Sequence, residues 1–267
     1  REGRPSSAGE GERHWPCRFQ EESCFPRADV AINRFFRWNA TQEGRARSAP
    51  KGRRMNSVIF ALHLGIFAVA TDPAEESASD CVSRGMDRFR ENQIAESLRQ
   101  FSRAIELDPK IEPYLWQKGI SHYYAQEFEK GRHQFEVHEQ VNPHDVENAA
   151  WHFLCVAKSE GLKAARKALL TIDVAQDRRV PMAQIYELYA GRGTPESVIK
   201  AAEKADSRQA TMYAHLYVGL YYEVSGNGDL ARNHMRKAAA AQLTKNYMHD
   251  VAKVHVLQRR WTVGQTK

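Results

Sequence analysis

Cysteine is scarce. Four occur in 267 residues, and two of these, Cys17 and Cys24, fall in the first 54. A small scaffold stapled by several disulfides is thereby excluded. No stretch alternates apolar and polar residues with period two, so no sheet is expected and the fold class is all-α. No GxSxG, HExxH, P-loop or GxGxxG pattern occurs, which removes the common short signatures of hydrolase, zinc-protease and nucleotide chemistry. A one-sided basic surface is missing too. Residues 1–54 hold 12 of the 39 Lys+Arg and 7 of the 33 Asp+Glu, which leaves 27 against 26 for residues 55–267. The formal charge of +6 therefore belongs almost wholly to the leader, and the near-neutral remainder does not suit phosphate binding. No nucleic-acid partner is expected.

What is present is a repeat. Gly85, Phe89, Phe101 and Pro109 recur 34 residues later as Gly119, Tyr123, Phe135 and Pro143. That period and those residue types identify a tetratricopeptide (TPR) array, a stack of antiparallel helix pairs. Counting from Ala78 and from Glu112, small residues stand at positions 8 (Gly85, Gly119) and 20 (Ser97, Gly131), where two helices approach closely. An aromatic stands at position 24 (Phe101, Phe135) to fill the space between them. Proline at position 32 ends the second helix, because it lacks the amide donor and clashes with the preceding turn. The expected architecture is a short right-handed helix-turn-helix solenoid. Its repeats lie near 78–111, 112–145, 146–172 and 212–241, with irregular helices over 174–211.

The later units are less regular. In the unit from Val146, Ala165 and Leu169 hold positions 20 and 24, but Phe153 replaces the small residue at position 8. Helices are expected around Met182–Tyr189 and Glu196–Ala205, divided by a Gly-Arg-Gly-Thr-Pro break whose Thr194 and Pro195 make an N-cap and first-turn pair. From Met212, Gly219, Ala231, Met235 and Ala238 return to positions 8, 20, 24 and 27. A last helix near Tyr247–Arg259 is expected to cap the exposed end. Cys81 and Cys155 then fall in the first and third repeats with four helices between them. At roughly 8–10 Å per packed helix they should lie beyond the ~7 Å Cα reach of a disulfide, as small buried apolar residues.

Residues 1–54 are rich in Arg, Gly, Ser and Glu without sustained periodicity, and are expected to be a disordered or non-native extension, with Met55 the biological start. Val58–Ala70 is an apolar run of 13 residues without Asp, Glu, Lys or Arg, ending in Ala68-Val69-Ala70. The layout is that of a secretory signal peptide over 55–70, cleaved after Ala70, and the run is short for a membrane span. A linker over 71–77 would lead into the domain at 78–267. Export to the periplasm is the expectation; the membrane would be involved only if 58–70 stayed uncleaved. Cys81 follows Ser-Ala-Ser-Asp, not the context of a lipid-modified cysteine, so no lipid anchor is expected.

Five histidines, His122, His133, His138, His144 and His152, crowd about thirty residues. His133 and His138 are five apart and do not share a helical face, and no cysteine or carboxylate completes a ligand set. No metal, cofactor or catalytic residue is expected. The concave face is more informative. In TPR arrays it is lined mainly by positions 2, 5, 9, 12 and 13 of each first helix. Here the partner-binding groove would comprise Met86, Phe89, Arg90, Trp116, Ile120, Tyr123, Tyr124, Lys158 and Tyr213. So apolar and aromatic a set suits capture of a peptide or partner helix. Trp116 and Tyr124 are expected to be exposed. For Phe89, exposure in the groove and burial between neighbouring helices both fit.

The order of units is itself suggestive. Two regular repeats precede a degenerate one carrying Trp151, then a Gly-Thr-Pro-Glu break, a Tyr-rich returning repeat (Ala214–Tyr222) and an Ala-rich run at Ala238–Ala241. Over roughly residues 80–258 this resembles the NlpI-type TPR lipoproteins of the bacterial envelope. The resemblance implies a non-enzymatic periplasmic adaptor, often homodimeric, that presents cell-wall hydrolases to a processing protease. The absence of a lipobox cysteine departs from that family. Two other readings stay open: a cytoplasmic or membrane-tethered TPR co-chaperone, and an envelope enzyme with its site in the irregular 174–211 segment.

Overall fold

The computed structural model describes residues 76–261. The extension at 1–54, the signal segment at 55–70 and most of the linker therefore lie outside the described residues. Among the described residues the structure is all-helical, with eleven α-helices and two short 3-10 helices. The first four α-helices are α1 (Ala78–Arg90), α2 (Ile94–Leu107), α3 (Trp116–Tyr124) and α4 (Phe128–Glu139). A 3-10 turn, Pro109–Tyr114, links the two pairs. The chain continues through α5 (Val146–Glu160), α6 (Leu162–Lys167), α7 (Met182–Tyr189), α8 (Pro195–Ala205), α9 (Arg208–Val224), α10 (Gly228–Ala239) and α11 (Tyr247–Gln258). The second 3-10 turn, Val174–Gln176, precedes α7. Consecutive helices pack side by side along the chain except at α6 and α7, where α7 packs chiefly on α5.

The residues that start these helices do so by satisfying free amides of the first turn. Ser77 accepts from the Asp80 amide, Asp145 from Glu147, Ser207 from Ala210 and Asn246 from His249. Thr194 forms a reciprocal capping box with Ser197, and Pro195 occupies the first helical turn.

Three helix pairs share one turn, atom for atom. Asn92, Gln126 and Gly226 all have positive φ, of 62°, 62° and 82°. The flanking amides make the same three backbone bonds in each: Glu91 to Asp87, Asn92 to Phe89 and Gln93 to Arg88 in the first, Ala125 to Ser121, Gln126 to Tyr123 and Glu127 to His122 in the second, and Ser225 to Tyr221, Gly226 to Glu223 and Asn227 to Tyr222 in the third. Gly191 (φ 78°) closes α7 with the same pattern, in a stretch where the sequence period is lost.

The pairs also share one close approach. A Cβ built on Gly85 would lie 2.9 Å from the Phe101 ring, and one on Gly119 would lie 2.7 Å from Phe135. On Gly219 it would lie 3.1 Å from the Met235 amide. Each ring therefore occupies the space a side chain would need, so the glycines set how closely the helices pack. Phe101, Phe135 and Met235 are all fully buried. Trp151 is buried at the centre of α5, with Tyr123 5.4 Å and Phe135 6.5 Å from its ring. Cys81 and Cys155 are both buried free thiols.

Three details differ from the sequence expectation. Helix α6 stops at Lys167, so Leu169 lies outside it, and the chain beyond is held by a 3.0 Å bond from the Tyr186 hydroxyl to the Leu170 carbonyl. Helix α9 begins at Arg208, four residues before the register implied, because Ser207 caps it. Helix α11 does not merely close the far end. It packs on α9 and α10 and also returns to touch α1.

Candidate functional site

Helices α1 and α3 present an aromatic face, and α11 lies on it. The Tyr247 ring stacks on Phe89, with centroids 5.5 Å apart and planes at 27°. It meets Trp116 edge-on at 5.3 Å. The Arg90 guanidinium sits 5.7 Å over the same ring and donates from Nε to Asp250 at 3.0 Å. Further along, the Tyr124 hydroxyl and His255 Nδ1 are hydrogen-bonded at 3.0 Å, and Gln258 donates to the Asn92 side chain at 2.6 Å. Tyr247, Asp250, His255 and Gln258 stand at i, i+3, i+8 and i+11, one face of a helix. The N-cap at Asn246 and a run of Val and Ala fix α11 as a helix whose opposite side packs on α10; there His249 bonds the Leu243 and Ala239 carbonyls.

The nine residues named from the sequence divide accordingly. Phe89, Ile120, Tyr123 and Tyr124 are buried, Met86, Arg90 and Trp116 are half-buried, and Lys158 is exposed. Tyr124, expected to be exposed, retains only 6% of its surface. The reason is specific: Phe89, Trp151 and His255 ring it, and its hydroxyl is engaged by His255. For Phe89 the burial alternative holds. Lys158 extends its ammonium 5.9 Å over the Phe128 ring. Tyr213 joins a different group, stacked on Tyr217 at 6.3 Å in the contact between α5 and α9.

The electrostatics of the α11 seam are uneven. Burial and the Asp250 and Asp87 carboxylates act on Arg90 in opposite senses, and the carboxylates win, holding its pKa above the ordinary value. The ion pair itself keeps about a third of the Arg90 side chain and a quarter of the Asp250 side chain in contact with solvent (34% and 23%), a setting that contributes on the order of 1 kcal/mol. Burial drives His255 down to about 4, with Glu223 opposing and Arg259 and Lys158 assisting. Its imidazole is therefore neutral at pH 7. Burial pushes Glu223 up, but His255 and the Arg259 guanidinium hold it below the usual carboxylate range. His255 Nε2 stands 3.6 Å from Glu223 Oε2, beyond hydrogen-bond reach. Both atoms, and the hydroxyls of Tyr123 and Tyr247, are buried without a protein hydrogen-bond partner. Each such group costs about 1–3 kcal/mol, so this seam is polar, specific and imperfectly satisfied.

A second polar junction lies between α5 and α9. Arg179 pairs with Asp145 (2.5 Å), Asp177 (2.7 Å) and Glu147, and the Tyr217 hydroxyl donates to Glu147 at 2.6 Å. Burial pushes Glu147 up to about 7 against the pull of Arg179. Every member is engaged by another, which makes it a strut. On α9 and α10, His215 and His234 face each other Nδ1 to Nδ1 at 3.0 Å. Among the described residues no group of three His, Cys, Asp or Glu is arranged to hold a metal ion. Burial pushes the Cys81 and Cys155 thiols above their ordinary value, away from nucleophilic thiolates.

The sequence names one wall of this site and the last helix, but not that this helix covers the wall. The signal was present: an aromatic, a carboxylate, an imidazole and an amide spaced on one face of an otherwise Val- and Ala-rich helix. Comparison with known proteins supplies no relative: no protein-family model matches the chain, and no curated protein matches it.

Proposed function

We propose that residues 78–258 form a TPR-type stack that works as a non-enzymatic adaptor, binding protein or peptide segments on the aromatic face of α1 and α3. The observation that carries this reading is the seating of α11: the face already holds a helix, through ring contacts and paired charges. The shared turn and shared close approach of three helix pairs support the TPR assignment, since each falls at the same position of the 34-residue register. The half-buried ring of Trp116 and the Arg90 guanidinium are the kind of anchors that dominate interface energies.

The adaptor is read as exported. That part rests on the signal-like segment at 55–70 and on the resemblance to envelope TPR lipoproteins, from which cell-wall hydrolases and a processing protease are the partner classes. A reporter fused after residue 75 should appear outside the cytoplasm, and its retention inside would end the export proposal. For the binding face, a photo-crosslinking residue in place of Trp116 should form adducts with protein from the same compartment. The same residue in place of exposed Lys167 should not. Equal adducts at the two positions, or none at 116 in a folded chain, would sink the assignment of this face.

A further inference from the structure

The face of α1 and α3 is covered in an informative way, because the residues that cover it define what fits. We propose that the partner of this face is an amphipathic helix presenting an aromatic residue, a carboxylate three positions later and an imidazole or amide side chain eight to eleven positions later. On this proposal α11 is the chain's own copy of that ligand, displaced when the partner binds. The inference rests on the reading of the chain as a protein-binding adaptor, and specifies the ligand and the competition.

Three observations lead there. The first is charge complementarity: Arg90 is a cation at the edge of the face, and Asp250 meets it from the docked helix at 3.0 Å. A ligand with a basic residue at that position would be repelled by a guanidinium that also lies over the aromatic ring. The second is the division of labour around α11. The side toward α10 is continuous with the body through a short connection, residues 240–246, and two imidazole-to-carbonyl bonds from His249. The side toward α1 and α3 is held across 160 residues of sequence by an ion pair, ring contacts and single hydrogen bonds.

The third is incomplete satisfaction. On the body side of this seam, the Tyr123 hydroxyl of α3 and the second oxygen of Glu223 on α9 are buried with no protein partner while α11 is seated. A ligand helix that pairs even one of them binds better than α11 does. A resident helix that leaves polar groups unmatched is exchangeable in a way that the glycine-to-ring contacts of the helix pairs are not. Because α11 competes from within, the apparent affinity of any outside ligand is its intrinsic affinity multiplied by the fraction of chains in which α11 is undocked.

The test uses the full chain and a fluorescent synthetic peptide of residues 244–261, in wild-type sequence and with Asp250→Lys. Wild-type chain should bind the wild-type peptide weakly. A chain carrying Asp250→Lys, whose own α11 is repelled by Arg90, should bind it at least tenfold tighter. A chain carrying Arg90→Glu should reverse the preference and favour the Asp250→Lys peptide. Should the Asp250→Lys chain fail to fold, a chain cut at a protease site placed between Ala241 and Lys245 keeps the side-chain contacts of α11 with α1 and α3 and lets α11 exchange; the same tenfold gain is expected. Equal affinity for intact and opened chains, or no reversal with Arg90→Glu, overturns the proposal. So does a dimer in which Arg90→Glu and Asp250→Lys chains complement each other, since the occupant would then be a second copy. If opened chains bind the peptide but residue 116 crosslinks to nothing from the cell, the ligand chemistry stands and the adaptor reading fails.

Discussion

Two kinds of seam hold this chain together, and they differ in what makes them fit. Between α1 and α2, and between α3 and α4, the seam is a matter of shape. A glycine gives way to a ring, and both are buried without a polar atom between them. Between α11 and the α1–α3 face the seam is a matter of pairing, with Arg90 to Asp250, Tyr124 to His255 and Asn92 to Gln258. Shape tolerates no substitution of size, whereas pairing tolerates size and fails on charge. The first kind makes a fixed scaffold and the second makes a cover that can be exchanged.

The contrast can be broken from the scaffold side first. Phe135→Ala should cost about 3–5 kcal/mol in a denaturant titration, the largest single loss, because the ring fills the space above Gly119 and lies 6.5 Å from Trp151. Gly119→Ala should cost about 1–3 kcal/mol, since its new Cβ would stand 2.7 Å from that ring. A neutral result there would show that the α3–α4 seam can open, and the distinction drawn here would collapse.

Acid should act on the other seam. His255 is neutral in the folded chain with its value near 4, against about 6.5 when exposed. Unfolding or undocking thus takes up a proton between those values. The stability this group contributes is complete above pH 6.5 and is lost as pH falls toward 4, about 2 kcal/mol by pH 5. Glu223, held below its ordinary value, adds to the loss only at lower pH. Hydrogen exchange at pH 7 and pH 5 should show 247–258 deprotecting ahead of 116–139; simultaneous loss would mean that α11 belongs to the scaffold. The smallest effect is expected from Arg90→Gln, under about 1 kcal/mol in global stability. That same substitution should nonetheless speed exchange in 247–258 selectively.

The two seams were not equally legible in the sequence. Glycine and aromatic residues at a fixed offset announce a shape-based contact, because only those residue types can make it. The helices of 78–145 and their turns follow from residues such as Gly85, Phe101, Gly119 and Phe135. A pairing contact leaves a fainter trace: the spacing of Tyr247, Asp250, His255 and Gln258 marks a face on the last helix but does not name its partner, and Arg90 meets Asp250 only when the fold brings them together across 160 positions. Tyr124 was misjudged for the same reason, since the register says which positions line a face and not what lies across it. The Arg179 strut was invisible because it joins residues from a stretch without a period, and Glu147 reads as a solvated helix residue. Ser207 was a legible cap, and taking the unit to begin at Met212 passed over it.

The return of the last helix to the first also sets a clock. During synthesis Phe89, Trp116 and Tyr124 emerge early, and His255, the partner of Tyr124, follows 131 residues later. At ~5–20 residues per second, each new chain shows an uncovered aromatic surface for about 7–25 s before its own cover exists. For that interval the surface must be left to a chaperone, to a neighbouring nascent chain, or to the very ligand it was shaped to hold.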